Sequence, residues 1–180
     1  MLEGFVDQTI DFIQTNRSWM TPAVFALAFG ESLAGVSLLL PFWALLVGIG
    51  ALVVVMSPEF MAVWVAASVG AALGDWVSFL LGYYCQARIA ASWPLNKHPE
   101  LLPRARAFLN RYGAWAIVLG RFSGPFRATV PLVAGAVHMN AVTFQAANWS
   151  SAFLWAFVLL VFGGGLGMMI DAIAKALGWS

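Results

Sequence analysis

Two arginines six positions apart, Arg121 and Arg127, bracket the segment Phe122-Ser123-Gly124-Pro125-Phe126 in a chain that is otherwise apolar for long distances. A guanidinium offers forked donors that match phosphate oxygens and stays charged in a partly dry site, so the pair reads as a clamp for a phosphate-bearing head group. Backbone N–H groups released at the Gly124-Pro125 break would add donors to it. Two acids stand as counter-charge or coupling groups. Glu31 lies alone among apolar neighbours, so its carboxylate must be protonated, paired with a cation or solvated in a cavity. Asp75 follows Gly70 and Gly74 on a helical pattern, where helix packing or charge balance competes with a role in transport. Asn148 precedes Trp149 in an apolar run and reads as support, bonding broken backbone or a neighbouring helix. For the arginines the plain alternative is snorkelling, a long side chain near a helix end reaching the interface.

Enzyme chemistry finds no matching set. His98 and His138 have no Ser or Cys partner nearby in sequence, and two histidines with the lone Cys85 do not make a zinc site. Gly163-Gly164-Gly165 and Gly167 come with no P-loop Lys-Ser/Thr, so they read as close packing or a kink rather than a phosphate cradle. The expectation is a protein that is not an enzyme and carries no metal or cofactor, with coupling to an H+ or Na+ gradient left open.

The elements that must position these residues follow from composition. Of 180 residues, 62% are hydrophobic and 9% charged, against about 25% charged in an ordinary soluble domain. A polar shell cannot be built from so few charges, and a formal charge of +1 excludes nucleic acid as a partner. Charge-free runs extend over 27 residues from Ser32 to Pro58 and 43 from Ala128 to Ile170, where about 20 suffice to cross a bilayer. The class is a polytopic, all-α integral membrane protein.

Residues 1–17 carry Leu2, Phe5, Val6, Ile10 and Ile13 at helical spacing, which predicts an amphipathic interfacial helix; acidic residues at its start argue against a cleaved signal. Residues 19–56 form a first interrupted region, with Gly30-Glu31 between apolar arms and Pro41 beyond, and residues 60–86 a transmembrane helix. Residues 88–111 hold Arg88, Lys97, Arg104, Arg106 and Arg111 against Glu100, with Pro94, Pro99 and Pro103 as helix breakers; this basic loop is expected to face the cytoplasm. Within 112–138, only nine charge-free residues precede Arg121, too few to span, and Gly124-Pro125, Pro131 and Gly135 follow, which predicts a second re-entrant region. Residues 140–170 form a further transmembrane region and 171–180 a tail.

The two interrupted regions overlay at a constant offset of 90: Ala26 on Ala116, Gly30 on Gly120, Glu31 on Arg121, Pro41 on Pro131, Ala44 on Ala134 and Val47 on Val137. Paired interrupted segments in two halves point to a transporter's midplane site. An internal duplication would set Glu31 opposite Arg121.

Gly30-Glu31, Gly70-Ala-Ala-Leu-Gly74-Asp75, Gly82-Tyr83 and Gly120-Arg121-Phe122-Ser-Gly124-Pro125-Phe126-Arg127, continued through Pro131, Ala134-Gly135, Met139, Phe144, Asn148 and Trp155, resemble the DedA family over nearly the whole chain. The resemblance implies a multi-pass protein of the bacterial cytoplasmic (inner) membrane, related to eukaryotic phospholipid scramblases. It also implies two facing re-entrant helical hairpins as an inverted repeat, and movement of undecaprenyl phosphate or phosphatidylethanolamine across the bilayer. Two departures stand out. Many members follow the first acid with a Pro-Gly-acid motif where this chain has Pro41-Phe42-Trp43, and the commoner Pro-Gly between the arginines is here Gly124-Pro125. The first removes the second hairpin acid; the second should leave the break intact, since Gly and Pro interrupt a helix in either order.

The leading expectation is a non-enzymatic lipid translocase with a charged midplane cavity: Arg121 and Arg127 on the phosphate, Glu31 and Asp75 as counter-charges, and Gly30, Pro41, Gly120, Gly124, Pro125, Pro131 and Asn148 supporting the hairpins. The alternative is a proton- or cation-coupled carrier of a small solute, using Glu31 and Asp75 as protonatable groups. An intramembrane lipid phosphatase ranks last for want of a nucleophile–base pair. The partner is a membrane lipid, and the sequence does not set an oligomeric state.

Overall fold

A computed structural model of the chain describes residues 19–33, 46–50, 58–85, 101–123, 127 and 129–176, and the side chains of all of these except 58, 101, 102, 105 and 166–176. The interfacial helix expected at 1–17, together with Pro41, Gly124 and Pro125, lies outside the described residues. The regular elements among them are all helical: α1 (Met20–Ser32), α2 (Pro58–Tyr84), α3 (Leu101–Tyr112), α4 (Ala114–Arg121), α5 (Thr129–Ala136) and α6 (Ala141–Ala176), with residues 46–50 helical as well.

Length sorts these helices. Glu59–Tyr84 and Ala141–Gly165 are long and apolar enough to cross a membrane. At 1.5 Å per residue the eight-residue α4 and α5 extend only about 12 Å, well short of a hydrocarbon core of about 30 Å. The long pair runs antiparallel. Phe60 meets Phe157 edge-on at 6.0 Å, the Trp64 indole N–H donates to the Phe153 carbonyl at 2.9 Å, and towards the other end Phe79 stacks on Phe144 at 4.3 Å.

Between helices immersed in lipid the driving force is close packing rather than exclusion of water, and small residues let backbones approach. Glycine serves that purpose at three crossings. Side chains at Gly70 and Gly74 would strike the Phe25 and Phe29 carbonyls, which lays α1 on α2. Gly82 of α2 lies against the Leu132 carbonyl while Gly135 of α5 lies against the Phe79 carbonyl. The third crossing has the same reciprocal form: Gly163 of α6 lies against the Val47 carbonyl, and a Cβ on Gly50 would sit 2.8 Å from the Leu160 oxygen.

Two apolar clusters result. One gathers Val24, Ala28, Leu46, Ile49, Phe60, Val63 and Leu160. The other gathers Phe79, Leu109, Ala116, Ile117, Ala134 and Phe144. On α2, Asp75 falls between Ala72 of the first cluster and Phe79 of the second; on α6, Asn148 and Ser151 fall between Ala147 and Ala152 in the same way. A polar layer therefore separates two greasy ones.

The basic region departs from the expected loop. Its second part is α3, and Pro103 sits in that helix's first turn, where a missing N–H costs nothing because that group would have no intrahelical acceptor. Gly113, at φ 53°, breaks α3 from α4 in a single residue. After α5 the chain turns through His138 at φ 57°; its N–H donates to the Gly135 carbonyl at 2.9 Å and that of Met139 to Ala134 at 3.0 Å. Asn140 then opens α6, its Oδ1 accepting the N–H groups of Val142 at 3.0 Å and Thr143 at 3.1 Å.

Candidate functional site: a buried layer of charge

Glu31, Asp75, Arg121 and Arg127 come from four parts of the chain and are all buried, with Ser32, Asn148 and Ser151 among them. The four charges balance, as they must where a lone ion would be costly.

Arg121 ends α4 and is held through Nη2 and Nε, while its Nη1 is buried without a hydrogen-bond partner. Its Nη2 forms a hydrogen-bonded ion pair with Asp75 Oδ2 of α2. The same nitrogen donates to Asn148 Oδ1 at 2.6 Å, and Nε donates to Ser151 Oγ at 2.9 Å. The Asn148 amide in turn donates from Nδ2 to the Ala72 carbonyl at 2.9 Å and to Gln145 Oε1 at 3.3 Å. Asn148 thus ties α6 to α2 while fixing a guanidinium carried by α4. Ser151 is oriented by its own bond to the Asn148 carbonyl at 3.1 Å. Gly120 makes room for the adjacent arm, since a Cβ there would be 2.8 Å from Val130 of α5.

Arg127, in the connection between α4 and α5, is held differently. Its Nη2 donates to Ser32 Oγ at 2.8 Å, and its Nη1 lies 3.6 Å from Glu31 Oε1, an ion pair longer than a direct hydrogen bond. The flat face of the guanidinium rests on Trp155, 4.1 Å from the ring centre to Cζ. Ser32 is itself steadied through its carbonyl, which accepts from Ser78 Oγ at 3.1 Å; the same hydroxyl donates to Gly74 at 3.0 Å.

The pairing differs from the offset-90 overlay, which set Glu31 against Arg121. Asp75 takes Arg121 and Glu31 takes Arg127. The reason is geometric: α1 packs along α2 through Gly70 and Gly74 and carries Glu31 beside the α4–α5 connection, whereas Arg121 reaches the middle of α2 from the other cluster. Gly30 lies at the end of α1 and Pro131 is buried in the first turn of α5.

Three participants were not singled out for chemistry from sequence. Ser32 adjoins Glu31, while Ser151 and Trp155 follow Asn148 by three and seven positions, which places Asn148, Ser151 and Trp155 on one stripe of α6. That i, i+3, i+7 spacing of polar and aromatic residues within an apolar helix was the available signal. Among the described residues no group of three or more His, Cys, Asp or Glu could hold a metal ion.

Residues 40–179 match the VTT domain. The chain is 35% identical over 144 residues to the inner membrane protein YabI of Escherichia coli K12, covering 80% of this chain and 57% of that protein. To the inner membrane protein YqjA of the same strain it is 30% identical over 145 residues, covering 80% and 66%. A similar likeness, 32% over 144 residues, extends to an uncharacterized membrane protein of Buchnera aphidicola. The chain thus spans little more than half to two thirds of the length of these relatives. No solved structure matches it. An all-helical set of described elements, two helices able to cross a bilayer, relatives named as membrane proteins and a domain match over most of the sequence together place this chain in the VTT-domain (DedA) family of membrane proteins.

Proposed function

We propose that the chain is a non-enzymatic translocase that moves a phosphate-bearing lipid, undecaprenyl phosphate or phosphatidylethanolamine, across the bacterial inner membrane, and that Arg127 takes the phosphate. The head group crosses through the charged layer while the tails stay in lipid. The observation that carries this reading is the looser hold on Arg127: one hydrogen bond at 2.8 Å, an ion pair at 3.6 Å and an aromatic face. A guanidinium held in this way can exchange an anionic partner for the oxygens of a phosphate without breaking a compact hydrogen-bonded cage. Arg121, placed in the clamp from sequence, is on this reading the fixed wall of the site rather than a second ligand. Glu31 is the group that Arg127 leaves and rejoins, and Asp75 keeps Arg121 charged and in place.

The short helices support a re-entrant reading, since α4 and α5 are too short to cross and each is packed on a long helix. The reciprocal glycine crossings support an internal repeat in a register other than 90. Phe79 and Gly82 correspond to Leu160 and Gly163, 81 positions on; Val47 and Gly50 correspond to Leu132 and Gly135, 85 positions on. Each half thus lends a short arm to the long helix of the other, and those long helices are antiparallel, as an inverted repeat requires.

The test is transport in vesicles of pure protein with a headgroup-specific reporter, measured together with the thermal shift produced by added phosphate lipid. Arg127→Lys keeps the charge but loses the planar fork and should lower transport substantially; Arg127→Ala should abolish both transport and the lipid-dependent shift. A well-folded Arg127→Ala protein with normal transport and a normal shift would overturn the assignment.

A further inference from the structure

The helix α3 takes no part in the charged layer, and its composition calls for a partner. It carries three arginines and no acid. Among its described side chains only Leu109 is buried, docking in the second apolar cluster with Phe79 and Ile117. Arg104, Phe108 and Arg111 fall at i, i+4 and i+7 and share one exposed stripe. Phe108 is packed against Tyr112 at 4.7 Å, and the Arg111 guanidinium lies over the Tyr112 ring at 5.5 Å.

The surroundings fix the level at which this stripe lies. Tyr84 at the end of α2 and Trp115 at the start of α4 are 78% and 68% exposed, and Tyr83 and Tyr112 are exposed as well. Exposed tyrosine and tryptophan gathered at one end of a membrane protein mark the headgroup region, where an amphipathic ring has one side in hydrocarbon and the other in water. A helix at that level, with an apolar side chain inward and an arginine–aromatic–arginine stripe outward, suits a layer of lipid phosphates.

We infer that α3 is an interfacial helix that docks on the anionic head groups of the membrane in which the protein sits, through Arg104 and Arg111, with Phe108 lodged between them. The match is one of charge: the two arginines of the stripe, on a helix that itself carries no acid, face the leaflet that holds the negative lipids, the side to which the positive-inside rule assigns basic segments. Because only Gly113 separates α3 from α4, whose last residue is Arg121, lipid docked on α3 also sets the angle at which α4 enters the protein.

The experiment uses the full chain with Cys85→Ser and Ala107→Cys, labelled beside the stripe with an environment-sensitive dye. The protein is reconstituted in phosphatidylcholine alone or mixed with phosphatidylglycerol. Phosphatidylglycerol should protect the label from aqueous iodide by about two-fold or more and raise quenching by lipid-borne nitroxide, with both effects fading at high salt as surface charge is screened. Adding Arg104→Gln and Arg111→Gln should erase the difference between the two lipids while leaving thermal stability unchanged. Iodide access that is equal in both lipids, protection that survives the double substitution, or shielding that follows protein concentration rather than lipid charge would each overturn the inference, the last by revealing a second copy as the occupant. The label reports no transport, so failure here leaves the assignment of Arg127 standing, and failure there leaves this one.

Discussion

Arg121 and Arg127 are six residues apart, 4% and 7% exposed, and each lies beside an acid, yet they are held in opposite ways. Arg121 gives hydrogen bonds to Asp75, Asn148 and Ser151, three side chains on two long helices that are themselves cross-tied. Arg127 has a serine hydroxyl, a carboxylate beyond hydrogen-bond length and a ring. Burial and charge alone would rank them equally. The number and rigidity of the partners is what differs between the two.

The largest expected effect comes from removing the fixed acid. Asp75→Ala leaves Arg121 buried without its counter-ion and should cost about 3–5 kcal/mol, read as a lowered unfolding midpoint in detergent. In double-mutant cycles, Asp75 with Arg121 should couple more strongly than Glu31 with Arg127. Equal couplings would erase the contrast between the two arginines.

Asn148→Ala removes both the Arg121 acceptor and the tie to Ala72, and a lost hydrogen bond to a charged group should cost on the order of 1.5–3 kcal/mol in the same unfolding assay. Should transport fall while stability holds, Asn148 would belong to the transport path and not to the scaffold.

Glu31→Gln should destabilise less than Asp75→Ala, because its ion pair with Arg127 is longer than a direct hydrogen bond. Its effect on transport should be the larger one. A Glu31→Gln protein as destabilised as Asp75→Ala would show that Arg127 is caged too.

Smallest of all is Trp155→Phe, which keeps a ring under Arg127 but weakens the cation–π contact, worth about 0.5–2 kcal/mol in full. Trp155→Leu removes the ring altogether and should lower lipid affinity further, measured as the concentration of phosphate lipid needed for half the thermal shift.

From the sequence alone, the class of protein and the four charged residues of the buried layer could be read. Long charge-free runs demanded membrane helices, and a charge inside such a run stands out because its cost must be met by a partner. The nine charge-free residues before Arg121 are too few to cross, so spacing alone makes this arm short. Partnership was a different matter. Glu31 with Arg121 and Glu31 with Arg127 are equally allowed by spacing, and only the approach of α1 to α2 through Gly70 and Gly74 decides between them. The same holds for Ser32, Ser151 and Trp155, ordinary residues of a membrane helix until packing turns them towards an arginine. The prolines of the basic region conceal α3, because a proline that breaks a helix in its middle is tolerated in its first turn, where Pro103 lies. Local composition determines which groups must be paired or covered; which group does the pairing is a property of helix crossings, made by contacts far apart in the chain.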